Sequence, residues 1–435
     1  MSKAAGTLWV DLTDLFNWKG TFTGIQNVVD RYTQLYMERD DVHFFIFLPH
    51  EQRYIEVDKD EWQARRHTIL HPPKAAKAGA IKPVKPPLQR RVYLRLRHYG
   101  MTAARRLTPV TVKRAARARL NAYRDYKRSQ VGRYPFAAGD TVLVIGGNWG
   151  DDYHGFAEGL AKIRRTEKIR LLHVVHDFLP LTYPNYFAPS GSYKRYFTAI
   201  AKAADGFLVV SKATKHDLQQ FLQTLPGEAA RTPISTFRLG EDFGEATPQK
   251  PPLPLDDSFI LCVGTVEGRK NHALLYSAVK LALQKGVAIP QIVIAGRRGW
   301  MAEETLRNLE FDPDVQGRIL VSHTIDDNQK AWLFSHCLFS VYPSFCEGWG
   351  LPVVESLYNG KLCLTSNTSS LPEAGGKYAA YFSPYDAGEL LELISRYSKK
   401  SNRTAAEKYI QGRPQYTWRD SFEDFWPKVD HLQKS

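Results

Sequence analysis

Along the chain, short runs of β-branched and aromatic residues alternate with stretches whose apolar positions recur every three or four residues. Strands are expected at 7–12, 42–48, 141–145, 171–175 and 206–210, and helices at 25–36, 156–164, 193–203 and 212–222. Such alternation builds a parallel sheet with helices on both faces. The stretch 241–257, EDFGEATPQKPPLPLDD, breaks the pattern with prolines and polar residues and is expected to be a linker. A second alternating unit follows, with strands at 259–263, 289–295, 318–321, 337–342, 361–365 and 379–382 and helices at 273–284 and 328–335. The fold class is therefore α/β, with two Rossmann-like doubly wound domains over 1–240 and 258–415. Residues 416–435 repeat aromatic and apolar positions at helical spacing and form a last helix.

Ligands of such sheets sit beyond the carboxyl ends of the strands, so the loops there carry the candidate chemistry. The most informative is 342–360, YPSFCEGWGLPVVESLYNG. Pro343 and Ser344 end the strand, and Gly348 and Gly350 open a loop. Pro352 suits the first helical position and Gly360 the C′ stop. The backbone N–H groups of Gly348, Trp349, Gly350 and Leu351 then face outward at the positive end of a helix, a seat for a phosphate. Glu347 and Glu355 flank this loop. Carboxylates beside a phosphate seat suit the neutral hydroxyls of a sugar or ribose. The alternative is a surface charge at Glu347 and a helix-dipole partner at Glu355.

In GTVEGRKNH, residues 264–272, Arg269 and Lys270 follow a strand in a glycine-containing loop. Two adjacent cations there can neutralise a diphosphate, Arg by its planar fork and Lys as a point charge. Gly24, closing GTFTG at 20–24, lies at another strand-to-helix turn, where either a close ligand approach or a tight turn would call for glycine. His176 ends the strand at 171–175, open to both a structural and a catalytic role. Ser211 is expected to cap a helix.

The context FCEGWGLPVVES resembles the signature of retaining glycosyltransferases of the GT4 family, which have the GT-B fold: two Rossmann-like domains facing across a cleft. The likeness covers nearly the whole chain and is most specific over 262–373. GTVEGRKN, GRRGW and HDFLPL resemble the mannosyltransferase subset. The resemblance implies a retaining, metal-independent hexosyltransferase that moves a sugar, mannose favoured, from a nucleotide sugar such as GDP-mannose to a glycan or lipid-linked glycan in surface polysaccharide synthesis. It implies that Lys270, Arg269 and the loop amides hold the diphosphate, Glu347 the sugar hydroxyls and Glu355 the ribose. It further implies that His176 faces sugar and acceptor, that Gly24 faces the donor phosphates, and that the last helix packs back on the first domain. Many members carry Arg directly after the first glycine of the 264–272 loop, where this chain has Thr265. No cofactor is implied. The other functions weighed are a nucleotide-sugar epimerase or phosphorylase on the same scaffold and a non-catalytic polyanion binder.

Composition narrows the setting. At 435 residues, 43% apolar and 24% charged, the chain can bury two or three cores. No run reaches the ~18 apolar residues of a membrane span, and MSKAAGTLWVDL does not resemble a signal peptide. Cys262, Cys337, Cys346 and Cys363 lack C-x-x-C spacing and suit a reducing, cytoplasmic compartment. The one D-x-D, Asp312-Pro313-Asp314, follows no strand and is expected to be a proline turn rather than a metal site.

The net charge of +14 is concentrated: residues 72–133 hold eighteen Lys and Arg against a single acid, Asp125. This partly helical insertion suits an anionic membrane surface, a nucleic acid, or plain solvation. The leading expectation is attachment to the inner face of the cytoplasmic membrane, with no nucleic acid partner.

Overall fold

The strands are apolar on both faces because helices cover both sides of each sheet. A computed structural model describes residues 6–19, 22, 24–71, 134–187, 191–243 and 246–434. In the first domain the strands are β1 (Leu8–Asp11), β2 (Val42–Leu48), β3 (Arg53–Val57), β4 (Thr141–Val144), β5 (Arg170–Val175), β6 (Gly206–Val209) and β7 (Ile234–Thr236). They form one sheet ordered β3-β2-β1-β4-β5-β6-β7, parallel except for the β2–β3 pair. The second domain holds β8 (Phe259–Val263), β9 (Gln291–Ala295), β10 (Ile319–Ser322), β11 (Ser340–Tyr342), β12 (Cys363–Ser366) and β13 (Ala380–Phe382). Its order is β10-β9-β8-β11-β12-β13, all parallel. The order reverses between β1 and β4 and again between β8 and β11. The crevice outside such a reversal is where an open α/β sheet takes its ligand.

Several elements differ from the periodicity. The expected strand over 337–342 is shorter, Ser340–Tyr342, because the chain bends at Cys337 and Leu338 on leaving the helix Asp327–His336. Its His336 ring stacks on Trp332 at 3.9 Å, and Cys337 is the buried cap residue that ends it. Antiparallel β3 and the helix Lys59–Leu70 have no counterpart in the expected pattern; of that helix only Trp62 and Ile69 are buried, so its apolar face is faint. Helices Glu303–Phe311, Ala387–Ser398 and Lys400–Gln411 also lie outside the expected elements. Pro352 occupies the second position of the helix Leu351–Tyr358 rather than the first, and Gly360 follows the cap residue with φ +69°.

The linker is pinned where it begins. Glu241 is buried and paired with Arg413 (2.6 Å) and with Arg238. From there the last helix, Trp418–Lys434, lies on the first domain against the helix Ile25–Met37, β5 and β6. Ser421 Oγ and Tyr32 Oη share a hydrogen bond of 2.6 Å, and Phe425 meets the Tyr32 ring edge-on at 4.9 Å. Phe425, Val429 and Leu432 are buried there, each contributing about 1.5–3 kcal/mol of transfer free energy. All four cysteines are free and buried. The basic segment 72–133, on which the membrane expectation rests, and Gly20, Thr21 and Thr23 of the first glycine turn lie outside the described residues. Among the described residues no helix is long and apolar enough to cross a membrane.

Candidate active site

Beyond β8 and β11 the chain places its two informative loops side by side. Asn271, in left-handed backbone at φ +57°, donates its amide to Pro343 O (3.0 Å) and Pro384 O (2.9 Å). Phe345 N donates to Arg269 O at 2.8 Å. These bonds bring the two cations of the first loop onto the carboxylate of the second. Lys270 Nζ donates to Glu347 Oε1 at 2.7 Å and Arg269 Nη1 to Glu347 Oε2 at 2.7 Å. Tyr342 Oη donates to Glu347 Oε1 at 2.9 Å and accepts from Lys270, while Arg269 also pairs with Glu267 at 2.8 Å.

Electrostatics follows from this packing. Burial alone would raise the Glu347 carboxyl, but the Arg269 and Lys270 charges overturn it and hold the group at about 2. Burial works against charge on Arg269 too, and Glu347 and Glu267 outweigh it, so this guanidinium stays protonated. Lys270 is pulled down by burial and by its Arg269 neighbour. Glu347 is thus a permanent anion that orders both cations. The sequence reading puts the cations on a diphosphate and Glu347 on a sugar; here all three hold one another.

The glycine loop is held by its carbonyls. Ser369 Oγ (2.6 Å) and Ser370 Oγ (2.9 Å) donate to Glu347 O, Ser370 Oγ donates to Trp349 O (2.8 Å), and Thr214 Oγ1 donates to Gly348 O (3.3 Å). By contrast, the N–H groups of Gly348, Trp349, Gly350 and Leu351 donate to no protein acceptor among the described residues. Gly350 has φ +120°, which favours glycine, at the start of the helix Leu351–Tyr358. Gly348 is needed for another reason: a Cβ there would stand 2.2 Å from His176 O. Loop and histidine belong to different domains, so this glycine lets the two walls touch.

The walls meet elsewhere too. Glu373 accepts from Lys212 N and Ala213 N, both at 2.8 Å, capping a first-domain helix from the second domain. Trp300 Nε1 donates to Tyr186 O at 2.8 Å, and Tyr186 stacks on Phe345 at 5.3 Å. Between these contacts lies a cleft of about 600 Å³. Gly24, His176, Arg269, Lys270, Glu347 and Glu355 all line it, as do the loop residues 348–351.

On the first-domain wall, His176 Nε2 meets Ile145 O at 2.8 Å, which makes that nitrogen the donor and leaves Nδ1 as an acceptor. Burial lowers this imidazole to about 4, so it is neutral at pH 7. Beside it, burial raises the Asp177 carboxyl while Arg269 pulls the other way. Deeper, at the end of β1, Asp11 accepts from Thr13 N (3.0 Å), Thr13 Oγ1 (2.6 Å) and Asn148; burial pushes it up to about 7. Gly24, at φ +50°, starts the helix that bears Gln26. Ser211 caps its helix, accepting from Thr214 N at 3.0 Å. The D-x-D lies away from the cleft, in a turn whose carboxylates are tied to Lys280 at 3.1 and 2.6 Å.

The sequence does not single out Lys330, which pairs with Glu355 at 3.3 Å and Asp327 at 3.2 Å beside the cleft. It gives no role to Tyr342, Glu267 or Glu373, and it places Asp177 only beside His176, just past a strand end. Lys330 follows a strand end, and the strand-end rule that points to Lys270 would have pointed to it as well.

Comparison with known proteins now adds to the geometry. Residues 244–413 match the family model described as glycosyl transferases group 1. The matched stretch spans β8 to β13 and contains the Arg269–Lys270–Glu347 cluster. Among curated proteins, the chain is similar to the serotype-specific mannosyltransferase WbdA of Escherichia coli, 23% identical over 265 residues, covering 58% of this chain and 32% of that protein. It is also similar to the O-antigen chain mannosyltransferase B of Escherichia coli, 29% identical over 165 residues, covering 37% of this chain and 42% of that protein. The match spans about a third of the length of the WbdA relatives. Among solved structures, sucrose-phosphate synthase from Thermosynechococcus elongatus aligns with a TM-score of 0.60 at 16% identity, covering 98% of this chain and 99% of that one. HepE from Anabaena, in complex with UDP and glucose, aligns with a TM-score of 0.58 at 14% identity, covering 98% of this chain and 100% of that one. At these identities the likeness concerns the fold, which is GT-B.

Proposed function

We propose that the chain is a retaining glycosyltransferase that moves a sugar from a nucleotide-sugar donor to a glycan or lipid-linked glycan in surface polysaccharide synthesis. The observation that carries this is the division of the cleft: paired cations and unbonded loop amides on one wall, a neutral histidine on the other. As the glycosidic bond breaks, negative charge builds on the departing phosphate oxygen. Arg269, Lys270 and the amides of residues 348–351 are already ordered around that position, so no reorganisation is needed to stabilise it. Glu347 fixes both cations and keeps lone pairs for sugar hydroxyls, and Glu355, oriented by Lys330, accepts from the ribose. His176 Nδ1 accepts from a hydroxyl of sugar or acceptor. Attack from the face that the diphosphate leaves gives retention. The protein's own cations do this work, so a metal is not required.

Mannose is the favoured sugar and GDP-mannose the favoured donor, because the curated relatives are named mannosyltransferases. The basic segment 72–133 rests on the anionic inner face of the cytoplasmic membrane in this reading, and flotation with anionic against neutral liposomes tests it: equal behaviour removes that part. The central reading is tested by thermal stabilisation with a panel of nucleotides and nucleotide sugars, followed by product analysis with the best donor. Free nucleoside diphosphate released in step with a new α-linked product supports it. Isomerised donor with no acceptor requirement, or no donor stabilisation at all, contradicts it.

A further inference from the structure

We propose that Arg297, just beyond β9, is a further cation that meets the phosphates of the donor's nucleoside diphosphate, beside Arg269 and Lys270; this rests on the reading of the cleft as a nucleotide-sugar site. The three other cations lining the cleft are already committed. Arg269 is held by Glu347 and Glu267, Lys270 by Glu347 and Tyr342, and Lys330 by Glu355 and Asp327. With its carboxylates included, that cluster carries little net positive charge, so a diphosphate held there calls for a further cation. Arg297 lines the same cleft, is exposed, and enters no ion pair among the described residues. Its five donors are therefore available in the planar fork that suits phosphate oxygens.

The backbone fixes where Arg297 emerges. Val263 pairs with Ala295 across β8 and β9, Gly264 N donates to Ala295 O at 3.0 Å, and Val266 N donates to Arg297 O at 2.8 Å. Two residues beyond that last strand pair stand Thr265 on one side and Arg297 on the other. The strands continue this closely because position 296 is glycine: a Cβ there would stand 1.8 Å from Gly264 O. Gly264 in turn lies against the Lys270 side chain, 3.7 Å from its Cε to a built Cβ. Arg297 is thus carried one strand away from Lys270, on the side where Thr265 offers no charge.

Calorimetric titration of the full chain with GDP, GMP and guanosine, and in parallel UDP, UMP and uridine, tests this. The wild type should bind one diphosphate at least about 100-fold tighter than its nucleoside, and Arg297→Met should weaken the diphosphate about 10- to 100-fold. Nucleoside affinity and thermal midpoint should stay unchanged, and Arg297→Lys should restore part of the loss. Equal weakening of nucleoside and diphosphate, or a diphosphate affinity unchanged in Arg297→Met, overturns the assignment while the cleft reading stands. A wild type that prefers neither diphosphate over its nucleoside overturns both.

Discussion

The second domain presents Arg269, Lys270, Arg297 and Lys330 to the cleft, whereas the first-domain lining holds no lysine or arginine among the described residues. That wall offers His176, Asp177, Gln26 and Asn27 with the rings of Trp18 and Trp149 instead. The two sheets share the strand order around their reversal points, and both bring that point to the same cleft, yet only one is built for an anion. The difference assigns the tasks. A pyrophosphate would find cations on one side and only neutral or acidic groups on the other. On the cationic wall Glu347 ties Arg269 and Lys270, the latter 77 positions away, into one cluster. The opposite wall keeps the His176 imidazole neutral by burial, so its Nδ1 can accept a hydrogen bond from a hydroxyl.

Substitutions on the two walls should therefore fail differently. Lys270→Met is expected to lower turnover about a thousandfold by removing a donor from the leaving group, and to weaken nucleoside diphosphate binding as well. His176→Asn is expected to lower turnover about a hundredfold while diphosphate affinity stays within about twofold. Steady-state release of nucleoside diphosphate and equilibrium titration separate the two. If His176→Asn weakens the diphosphate as much as Lys270→Met does, the division between the walls is wrong.

The same contrast has a pH signature. His176 titrates at about 4 in the folded chain against 6.5 for an ordinary histidine, so the neutral form favours folding. That stability is complete above about pH 6.5 and is lost as pH falls toward 4, about 3 kcal/mol in all. Denaturant unfolding between pH 4 and pH 7 should show a shallower slope in His176→Asn than in the wild type. An identical slope would mean the imidazole is not held neutral by burial.

Where the walls join, the effects are smaller. Glu373→Gln weakens a carboxylate cap that crosses the domains and should cost about 1 kcal/mol, seen as a lower thermal midpoint and a more open particle in small-angle scattering. Smallest of all should be the effect of chelation: with the protein's own cations and loop amides meeting the diphosphate, turnover in EDTA is expected to stay within about twofold of turnover with added magnesium. A collapse in EDTA would move the charge stabilisation from side chains to a metal.

Much of this was legible in the chain because glycine and proline punctuate it at fixed offsets. Gly348, Gly350, Pro352 and Gly360 mark loop, start and stop of one helix, and the structure keeps all four near those roles. The apolar runs likewise give β2 and β8 residue for residue. What periodicity does not carry is partnership. Nothing near Lys330 says that Glu355 is its partner 25 residues on, and nothing in GRRGW says that Arg297 enters no ion pair among the described residues while Arg269 does. The helix Lys59–Leu70 is missed for a related reason, since its stability comes from an Asp58 cap and two buried residues rather than from an apolar stripe.

The central claim is that a nucleoside diphosphate lies on the second-domain wall with its phosphates at the glycine loop. A crystal structure with the nucleoside diphosphate that most raises the thermal midpoint tests it directly. The account predicts phosphate density within hydrogen-bonding distance of the amides of residues 348–351 and of the Arg269–Lys270 pair. Phosphate density against the first-domain wall, or outside the cleft, would contradict it.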